Sequence, residues 1–163
     1  MIRKARKDDL NRILEIYDIA KSYMRKNGNL NQWNNNYPNE EILLNDINNS
    51  SLYVYENNNI IHAVFALIIG IDKTYNYIED GHWLSELTYG TLHRIASDQE
   101  ERNIFNKIIE FAETKIDHLR IDTHKDNIIM QHVILKNGFK ECGIIYISDG
   151  SPRIAYEKIK SLI

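Results

Sequence analysis

The feature that most constrains the fold is the stretch TLHRIASDQEERNIFNKIIEFAE, residues 91–113, in which a strand pattern passes directly into a helix pattern. Residues 91–96 form a short run of β-branched and apolar side chains, which is typical of a strand. Beyond it the apolar residues recur at helical spacing and share one face: Ile104, Phe105, Ile108, Ile109, Ala112 and Ile116. A strand that leads into a helix places free backbone N–H groups and the positive end of the helix dipole at the strand's C-terminal edge. The stretch therefore predicts a site for an anionic ligand.

The other apolar patterns predict one domain, residues 1–163, with the element order β-α-α-β-β-β-α-β-α-β-β. The predicted strands are residues 2–5, 52–55, 60–69, 91–96, 119–123, 139–147 and 153–159, and the predicted helices are residues 8–26, 38–48, 104–116 and 126–137. Strand 91–96, helix 104–116 and strand 119–123 predict a right-handed parallel crossover, and the flanking hairpins predict antiparallel strands. The expected fold class is α/β, with a mixed sheet of about seven strands and helices on both faces.

Short polar signals mark the ends of these elements. Asp126 is the predicted N-cap of the helix 126–137, and Asn137-Gly138 is its predicted end, with Phe139 folding back over the last turn. The Asn residues at 57–59 predict a tight hairpin, because Asn tolerates the left-handed backbone conformation that such turns require.

Charge and composition exclude several classes of protein. The net charge of −3 offers no broad basic surface for nucleic acid. The single cysteine, Cys142, cannot form an internal disulfide, which suits a reducing compartment. The first residues, MIRKARKDDL, contain no apolar signal core, and the apolar run 60–71 is too short to span a bilayer. We therefore expect a cytoplasmic protein with no nucleic-acid and no membrane partner.

Two segments carry a resemblance to a known family. Residues 93–97 are HRIAS, followed after an acidic turn by Arg102, and residues 119–139 are LRIDTHKDNIIMQHVILKNGF. Together with the element order, they resemble the GNAT superfamily of N-acetyltransferases over essentially the whole chain. The second segment is the more specific one, since it is similar to the family's pattern of a strand, an Asn, a helix and then K-x-G-F.

The resemblance implies that acetyl-CoA enters where the two parallel strands diverge. Its pantetheine would pair with the central strand through backbone groups of Ile95 and Ser97, and Asn127 would contact the cofactor arm. The residues at the implied pyrophosphate site are Arg102, Asn103, Ile104, Phe105 and Asn106.

The pyrophosphate turn departs from the family pattern Q/R-x-x-G-x-G/A, because no glycine follows Arg102. Asn103 is the best non-glycine residue for a positive φ angle there. Arg102 and the N–H groups of the helix start suit a diphosphate. Asp98, Glu100 and Glu101 would repel it if they faced it, although acidic residues at a helix start are also ordinary partners of the dipole.

A second departure concerns the acid. Many family members place a Tyr seven residues after the Asn, and this chain has Ile134 there, which cannot donate a proton. Either another group protonates the leaving thiolate, or the thiolate leaves as an anion towards the dipole of the helix 126–137. Tyr146 is a candidate substitute, with an ordinary sheet aromatic as the alternative.

Three residues are candidates for catalysis. Asp122 ends the strand before the Asn, where some family members have a general base; the alternative is a solvent-facing strand residue. His93 and His124 are expected to border the cleft, or else to be structural. No histidine or cysteine has metal-ligand spacing, so no metal site is expected.

Three aromatic residues lie in irregular segments and are candidates for the acceptor pocket: Trp33, Tyr37 and Trp83. An aromatic pocket suits a small amine or an amino-acid-like acceptor. For Trp83 a core position under a long loop is an equal alternative.

The expected function is direct transfer of an acetyl group from acetyl-CoA to an amine of a small molecule or peptide. The alternative is a non-catalytic domain that binds an acyl-CoA or another metabolite. The sequence leaves open the identity of the acceptor and the oligomeric state, a homodimer included.

Overall fold

The computed structural model describes residues 1–34 and 36–160, and the predicted element order is confirmed there. The strands are β1 (Ile2–Lys4), β2 (Leu52–Asn57), β3 (Ile60–Ile69), β4 (Gly90–Ser97), β5 (His118–Thr123), β6 (Lys140–Tyr146) and β7 (Pro152–Ile159). The α-helices are α1 (Leu10–Lys26), α2 (Glu40–Asn48), α3 (Ile104–Ala112) and α4 (Ile128–Lys136). Short 3-10 helices lie at Lys7–Asp9 and Lys73–Tyr75.

The strands form one seven-stranded sheet in the order β1-β2-β3-β4-β5-β7-β6. β4 and β5 are parallel, and the other neighbouring pairs are antiparallel. The predicted α/β class with a mixed sheet is therefore confirmed. The hairpin between β2 and β3 turns at Asn58 and Asn59, whose φ angles of +51° and +63° are those of the predicted tight turn.

Alternation along β3 shows that the sheet is covered on both faces. Ala63, Phe65 and Leu67 pack in a core with residues of α3 and α4. Val64 and Ala66 point the opposite way and pack in a second core with residues of α1 and α2. The apolar face of each helix, which the sequence predicts, thus packs against one face of the sheet.

Residues 70–89 form a long connection between β3 and β4 that reaches the far edge of the sheet. Glu79 forms a β-bridge with Ile144 of β6. A Cβ atom on Gly143 would come within 2.6 Å of the Glu79 carbonyl oxygen, so glycine permits this close approach of two backbones. A third core holds the connection on the sheet and contains Tyr75, Tyr89, Ile145 and Ala155.

Several predicted helix ends differ from the observed ones, and two of the differences have a local cause. The N-cap of α4 is Asn127 rather than Asp126, because the Asn127 side chain accepts the Met130 N–H at 3.1 Å. α3 ends at Ala112 rather than at residue 116. Just after Ala112, the Thr114 hydroxyl donates to the Phe111 carbonyl at 2.6 Å, and this side-chain bond competes with the backbone bonds of the helix. None of the helices in residues 1–34 and 36–160 combines the length and hydrophobicity that a bilayer crossing needs.

Candidate active site

β4 and β5 are paired only at the start of each strand. Gly90 pairs with Leu119 and Thr91 pairs with Arg120, and beyond these residues β4 and β5 no longer pair with each other in the described residues. The edge of β4 that faces β5 is therefore open beyond Thr91. Unpaired N–H and C=O groups along such an edge suit an extended ligand.

A β-bulge lies at the point where the two strands diverge. Arg94 and Ile95 together stand opposite the single residue Phe65 of β3, and Arg94 has a φ angle of +53°. A bulge bends its strand and increases the local twist. The bulge thereby turns β4 away from β5.

A cleft of about 530 Å³ opens between the diverging strands, within the size range of small-molecule sites. Five predicted site residues line it: Trp33, Tyr37, His93, Ile95 and Asp122. Among the lining residues that the sequence did not single out are Gln32, Asp72, Arg94 and Arg153. The walls come from the loop after α1, the connection 70–89 and the turn between β6 and β7.

Asp122 lines the cleft from β5 and accepts a hydrogen bond from the Tyr75 hydroxyl at 2.7 Å. Tyr75 is fully buried, and this burial, followed by the charge of Asp122, raises the pKa of Tyr75 well above its ordinary value. The phenol therefore stays protonated and donates to the carboxylate. Because a carboxylate accepts several hydrogen bonds, Asp122 retains acceptor capacity for a ligand.

His93 lines the cleft from β4, with its Nε2 atom 2.8 Å from Asp72 Oδ2. Burial alone would raise the pKa of Asp72, but hydrogen bonds with His93 and Thr74 outweigh it, and the pKa falls to about 2. Asp72 is therefore ionised at neutral pH and orients the imidazole through Nε2. The sequence shows Asp72 only as a residue of an irregular segment, so its pairing with His93 was not predictable.

Arg94 joins the α1–α2 side of the cleft to the sheet. Its Nε and Nη2 atoms donate to Asp46 at 2.8 and 2.9 Å, and its Nη1 atom donates to the Tyr37 hydroxyl at 3.2 Å. The Tyr17 hydroxyl donates to the Arg94 carbonyl at 2.6 Å. The Trp33 ring makes edge contacts with Tyr17 and Tyr37, with centroids 5.6 and 6.3 Å apart. Trp33 and Tyr37 thus form a braced aromatic wall.

Gln32 anchors the loop after α1 to the start of α4. Its Oε1 atom accepts hydrogen bonds from Asn29 Nδ2 at 3.0 Å, Asn127 Nδ2 at 2.9 Å and the Thr123 hydroxyl at 3.3 Å. Asn127, the implied cofactor contact, therefore uses its side-chain oxygen on the helix cap and its nitrogen on Gln32. Nothing in the polar sequence of this loop distinguishes Gln32 from its neighbours.

The predicted anion site has the geometry of a helix start. Asn103 precedes α3 with a φ angle of +58°, the left-handed conformation expected of it. The first backbone hydrogen bond of the helix runs from the Lys107 N–H to the Asn103 carbonyl, at 3.1 Å. The N–H groups of residues 104–106 come before it and have no acceptor within the helix. The side chains of Ile104 and Phe105 are buried in the core. These two residues therefore present backbone groups alone to a ligand, and Asn106 is exposed.

One of the three acidic residues before this turn faces inwards. Asp98 is buried, where it accepts hydrogen bonds from Arg12 Nη2 at 2.6 Å and from the Glu100 N–H at 3.0 Å. His62 Nδ1 lies 2.9 Å from the same carboxylate. Arg102 is exposed and forms no ion pair with another described residue. The turn thus pairs its buried acid internally, whereas Glu100 and Arg102 are exposed.

His124 and Ser97 do not line the cleft. His124 Nδ1 accepts the Asp126 N–H at 3.0 Å, and burial, followed by the charge of Arg153, lowers the pKa of His124. The Ser97 hydroxyl accepts from Gln99 Nε2 at 2.9 Å. Ile134 is fully buried in the core. Among the described residues, no three His, Cys, Asp or Glu side chains are grouped as metal ligands.

Trp83 and Tyr146 also lie outside the cleft lining. Trp83 Nε1 donates to the Tyr75 carbonyl at 2.8 Å, and the Arg120 guanidinium lies 4.0 Å from its ring centroid. This is the core position that the sequence left as an alternative for Trp83. The Tyr146 hydroxyl donates to Glu79, which raises the pKa of Tyr146.

Three solved structures are similar to this chain over nearly its whole length. A GNAT-family acetyltransferase from Streptococcus agalactiae is 30% identical, with a TM-score of 0.90 over 99% of this chain and 95% of that chain. A GNAT-family acetyltransferase from Listeria monocytogenes is 18% identical, with a TM-score of 0.72 over 98% of this chain and 94% of that chain. A ribosomal-protein-alanine N-acetyltransferase from Brucella melitensis is also 18% identical, with a TM-score of 0.63 over 98% of this chain and 99% of that chain.

No protein-family model and no curated protein matches the sequence. The structural relatives at 18% identity show the fold alone. The Streptococcus agalactiae enzyme is similar in sequence as well as in structure, over nearly the full length of both chains. The diverging parallel strands, the cleft between them and this similarity together show that the chain belongs to the GNAT family of acetyltransferases.

Proposed function

We propose that this protein transfers the acetyl group of acetyl-CoA to a primary amine of a small molecule or peptide, directly within a ternary complex. The observation that carries the proposal is the open edge of β4 beyond Thr91, which leads into a cleft containing Asp122 and His93. An extended pantetheine along that edge brings its thioester to the cleft. The remaining cleft volume accepts the amine beside it, so that the amine attacks the thioester directly.

The diphosphate of acetyl-CoA is proposed to bind at the start of α3. The proposal assigns a charge-assisted contact to Arg102, and the backbone N–H groups of residues 104–106 begin the helix directly after it. Asn103 adopts the left-handed conformation that glycine would otherwise supply. Ile95 and Ser97 contribute backbone groups to the pantetheine.

Asp122 is the proposed general base. An alkyl amine is protonated at neutral pH, and it must lose that proton before it attacks. Tyr75 holds the Asp122 carboxylate in place without neutralising it, and His93 lines the same cleft as the second candidate. Backbone N–H groups of the β4 edge are the proposed hydrogen-bond donors to the tetrahedral oxyanion. Because Ile134 is buried and apolar, the thiolate takes its proton from another group or leaves as an anion.

A non-catalytic acyl-CoA-binding domain is the second candidate function. It is favoured by the absence of glycine in the turn after Arg102 and by Ile134 at the position where many relatives have an acidic Tyr. Such a domain would bind acetyl-CoA and release no thiol when amines are added.

The first test is ligand-dependent stability. At acetyl-CoA near 100 times Kd, binding should stabilise the fold by roughly 2.7 kcal/mol. For a chain of this size that corresponds to a rise of about 5–10 °C in melting temperature. Arg102→Ala should reduce the rise, whereas Arg6→Ala, which removes another exposed arginine, should leave it unchanged.

Thiol release over a panel of primary amines then separates the two candidates. Amine-dependent release of CoA identifies the transferase, and a melting shift without release identifies the binding domain. If neither acetyl-CoA nor CoA shifts the melting temperature, both functions are excluded.

A further inference from the structure

Arg153 is a buried cation in the cleft that forms no ion pair with a carboxylate of the described residues. It lies on β7, is 5% exposed and lines the cleft. Its Nη1 atom donates to the Pro152 carbonyl at 2.9 Å, and its Nη2 atom donates to the Gln32 carbonyl at 3.1 Å. A guanidinium carries five N–H donors, so these two hydrogen bonds use only part of its donor capacity.

The other largely buried arginines are paired. Arg94 lies 2.7 Å from an Asp46 oxygen, and Arg120 lies 3.1 Å from a Glu157 oxygen. Within residues 1–34 and 36–160, no carboxylate oxygen lies within the 4.0 Å ion-pair distance of Arg153. Burial lowers the pKa of Arg153. The charges of Asp122 and Asp149, which lie beyond ion-pair distance, raise it. An anion that entered the cleft would supply the missing partner.

The sheet register places Arg153 beside Asp122. Asp122 stands directly opposite Ala155 of β7, and Arg153 precedes Ala155 by two residues, so both charged residues are on the same face. Diagonal neighbours of this kind are about 7–8 Å apart. The carboxylate of Asp122 and the guanidinium of Arg153 are therefore neighbours on one face of the cleft wall, which is complementary to a molecule with an ammonium group close to a carboxylate.

We propose that Arg153 binds a carboxylate of the acceptor, and that the acceptors are amino acids whose amino group faces Asp122. The inference rests on the proposed acetyl transfer and names its substrate class. The bidentate fork of arginine matches a carboxylate in geometry as well as in charge. The aromatic wall of Trp33 and Tyr37 lines the same cleft and is available to the amino-acid side chain.

A merely structural role for Arg153, holding the loop through the Gln32 carbonyl, makes a different prediction. It would affect all acceptors equally, whereas carboxylate binding affects only acceptors that carry one. The ratio of kcat/KM for an amino acid to kcat/KM for its own amide therefore isolates the proposed contact.

The experiment measures that ratio for leucine, phenylalanine, tryptophan, lysine and glutamate, each beside its α-amide. The parent protein should prefer at least one acid over its amide by on the order of 10- to 100-fold. In Arg153→Gln the preference should fall to about onefold, because the neutral glutamine side chain does not attract the carboxylate of the amino acid. Arg6→Gln, which removes an exposed arginine, should keep the parent's ratio.

Arg153→Lys covers the case in which Arg153→Gln does not fold. Lysine keeps the charge but loses the fork, so the preference should be reduced while the melting temperature stays close to that of the parent. The proposal would be overturned if the parent used acids and amides equally. It would also be overturned if Arg153→Gln or Arg153→Lys kept the parent's preference.

The melting shift with acetyl-CoA is measured in the same samples. A normal shift and amine-dependent thiol release with no acid preference overturn the role of Arg153 and leave the acetyltransferase proposal intact. If the acetyl-CoA shift is absent but an amino acid, and not its amide, stabilises the parent and not Arg153→Gln, the carboxylate contact is supported and the transferase is excluded.

Discussion

Asp72 and Asp122, two of the three aspartates that line the cleft, differ in how their charges are used. Asp72 is committed to His93 and Thr74, and these hydrogen bonds hold its pKa at about 2 against the opposing effect of burial. Asp122 accepts one side-chain hydrogen bond, from Tyr75, which remains a protonated donor. Of these two, Asp122 is therefore the carboxylate that is available to remove a proton from an amine.

Asp122→Asn keeps the shape of the side chain and removes its basicity. An amine with a pKa near 10 is only about one-thousandth neutral at pH 7. We therefore expect kcat/KM to fall by about 10²–10⁴-fold at pH 7 and the deficit to shrink as the pH rises, because solvent then supplies the neutral amine. The measurement is the pH–rate profile from pH 6 to pH 9 at saturating acetyl-CoA.

His93→Gln is the matched variant for this profile, because His93 lines the same cleft. A deficit that appears in His93→Gln and not in Asp122→Asn would transfer the role of base to His93. Superimposable profiles of Asp122→Asn and the parent protein would show that Asp122 is a structural partner of Tyr75 alone.

At the scale of elements, the acceptor side of the cleft depends on one glutamine. Gln32 links the loop after α1 to Thr123 at the end of β5 and to Asn127 at the start of α4. Its backbone carbonyl also receives the Arg153 guanidinium. The position of the loop that carries Trp33 is therefore set by contacts with the far side of the cleft.

Gln32→Ala should free that loop. The loss of the side-chain hydrogen bonds should lower the free energy of unfolding by about 1–3 kcal/mol. We expect KM for the acceptor to rise several-fold with little change in kcat, and the melting shift with acetyl-CoA to persist. Gln131→Ala is the control, since Gln131 bonds the carbonyls of His124 and Lys125 beside α4 without contacting the loop. An unchanged acceptor KM in Gln32→Ala would contradict the anchoring role.

At the scale of the whole molecule, a buried cluster fastens the connection 70–89 to the sheet. Glu157 of β7 is fully buried and contacts His118, Arg120 and the Leu84 N–H. Arg120 also donates to the Ser85 carbonyl at 2.6 Å. The rings of Trp83 and Tyr89 lie on the Arg120 guanidinium at 4.0 and 3.9 Å. The wall of the cleft that carries Asp72 is held by this cluster.

Glu157→Gln should therefore be severely destabilising. It leaves the buried Arg120 without its counter-charge, and breaking a buried pair in this way typically costs about 3–5 kcal/mol. Glu15→Gln removes the exposed pair with Arg12 and should cost about 0–1 kcal/mol. Urea unfolding of both variants beside the parent measures the difference. Equal stabilities of the two variants would contradict the role of the cluster.

The sequence alone determined the features that depend on local chain geometry. Helical and strand spacing predicted the element order and the mixed sheet, because side-chain direction repeats with periods of 3.6 and 2 residues along each element. Asn103, Asn58 and Asn59 were predictable as left-handed turn residues, since that preference belongs to the residue and its immediate backbone. The resemblance of the segment 119–139 to the GNAT pattern predicted the family.

The tertiary structure alone decided which polar groups meet in the cleft. Asp72 reaches His93 because the long connection 70–89 folds back over the sheet, and no local pattern encodes that path. Arg153 lies beside Asp122 because of the register between β5 and β7, and a shift of one residue would place it on the opposite face. These contacts join residues far apart in the chain, and only the packed sheet brings them together.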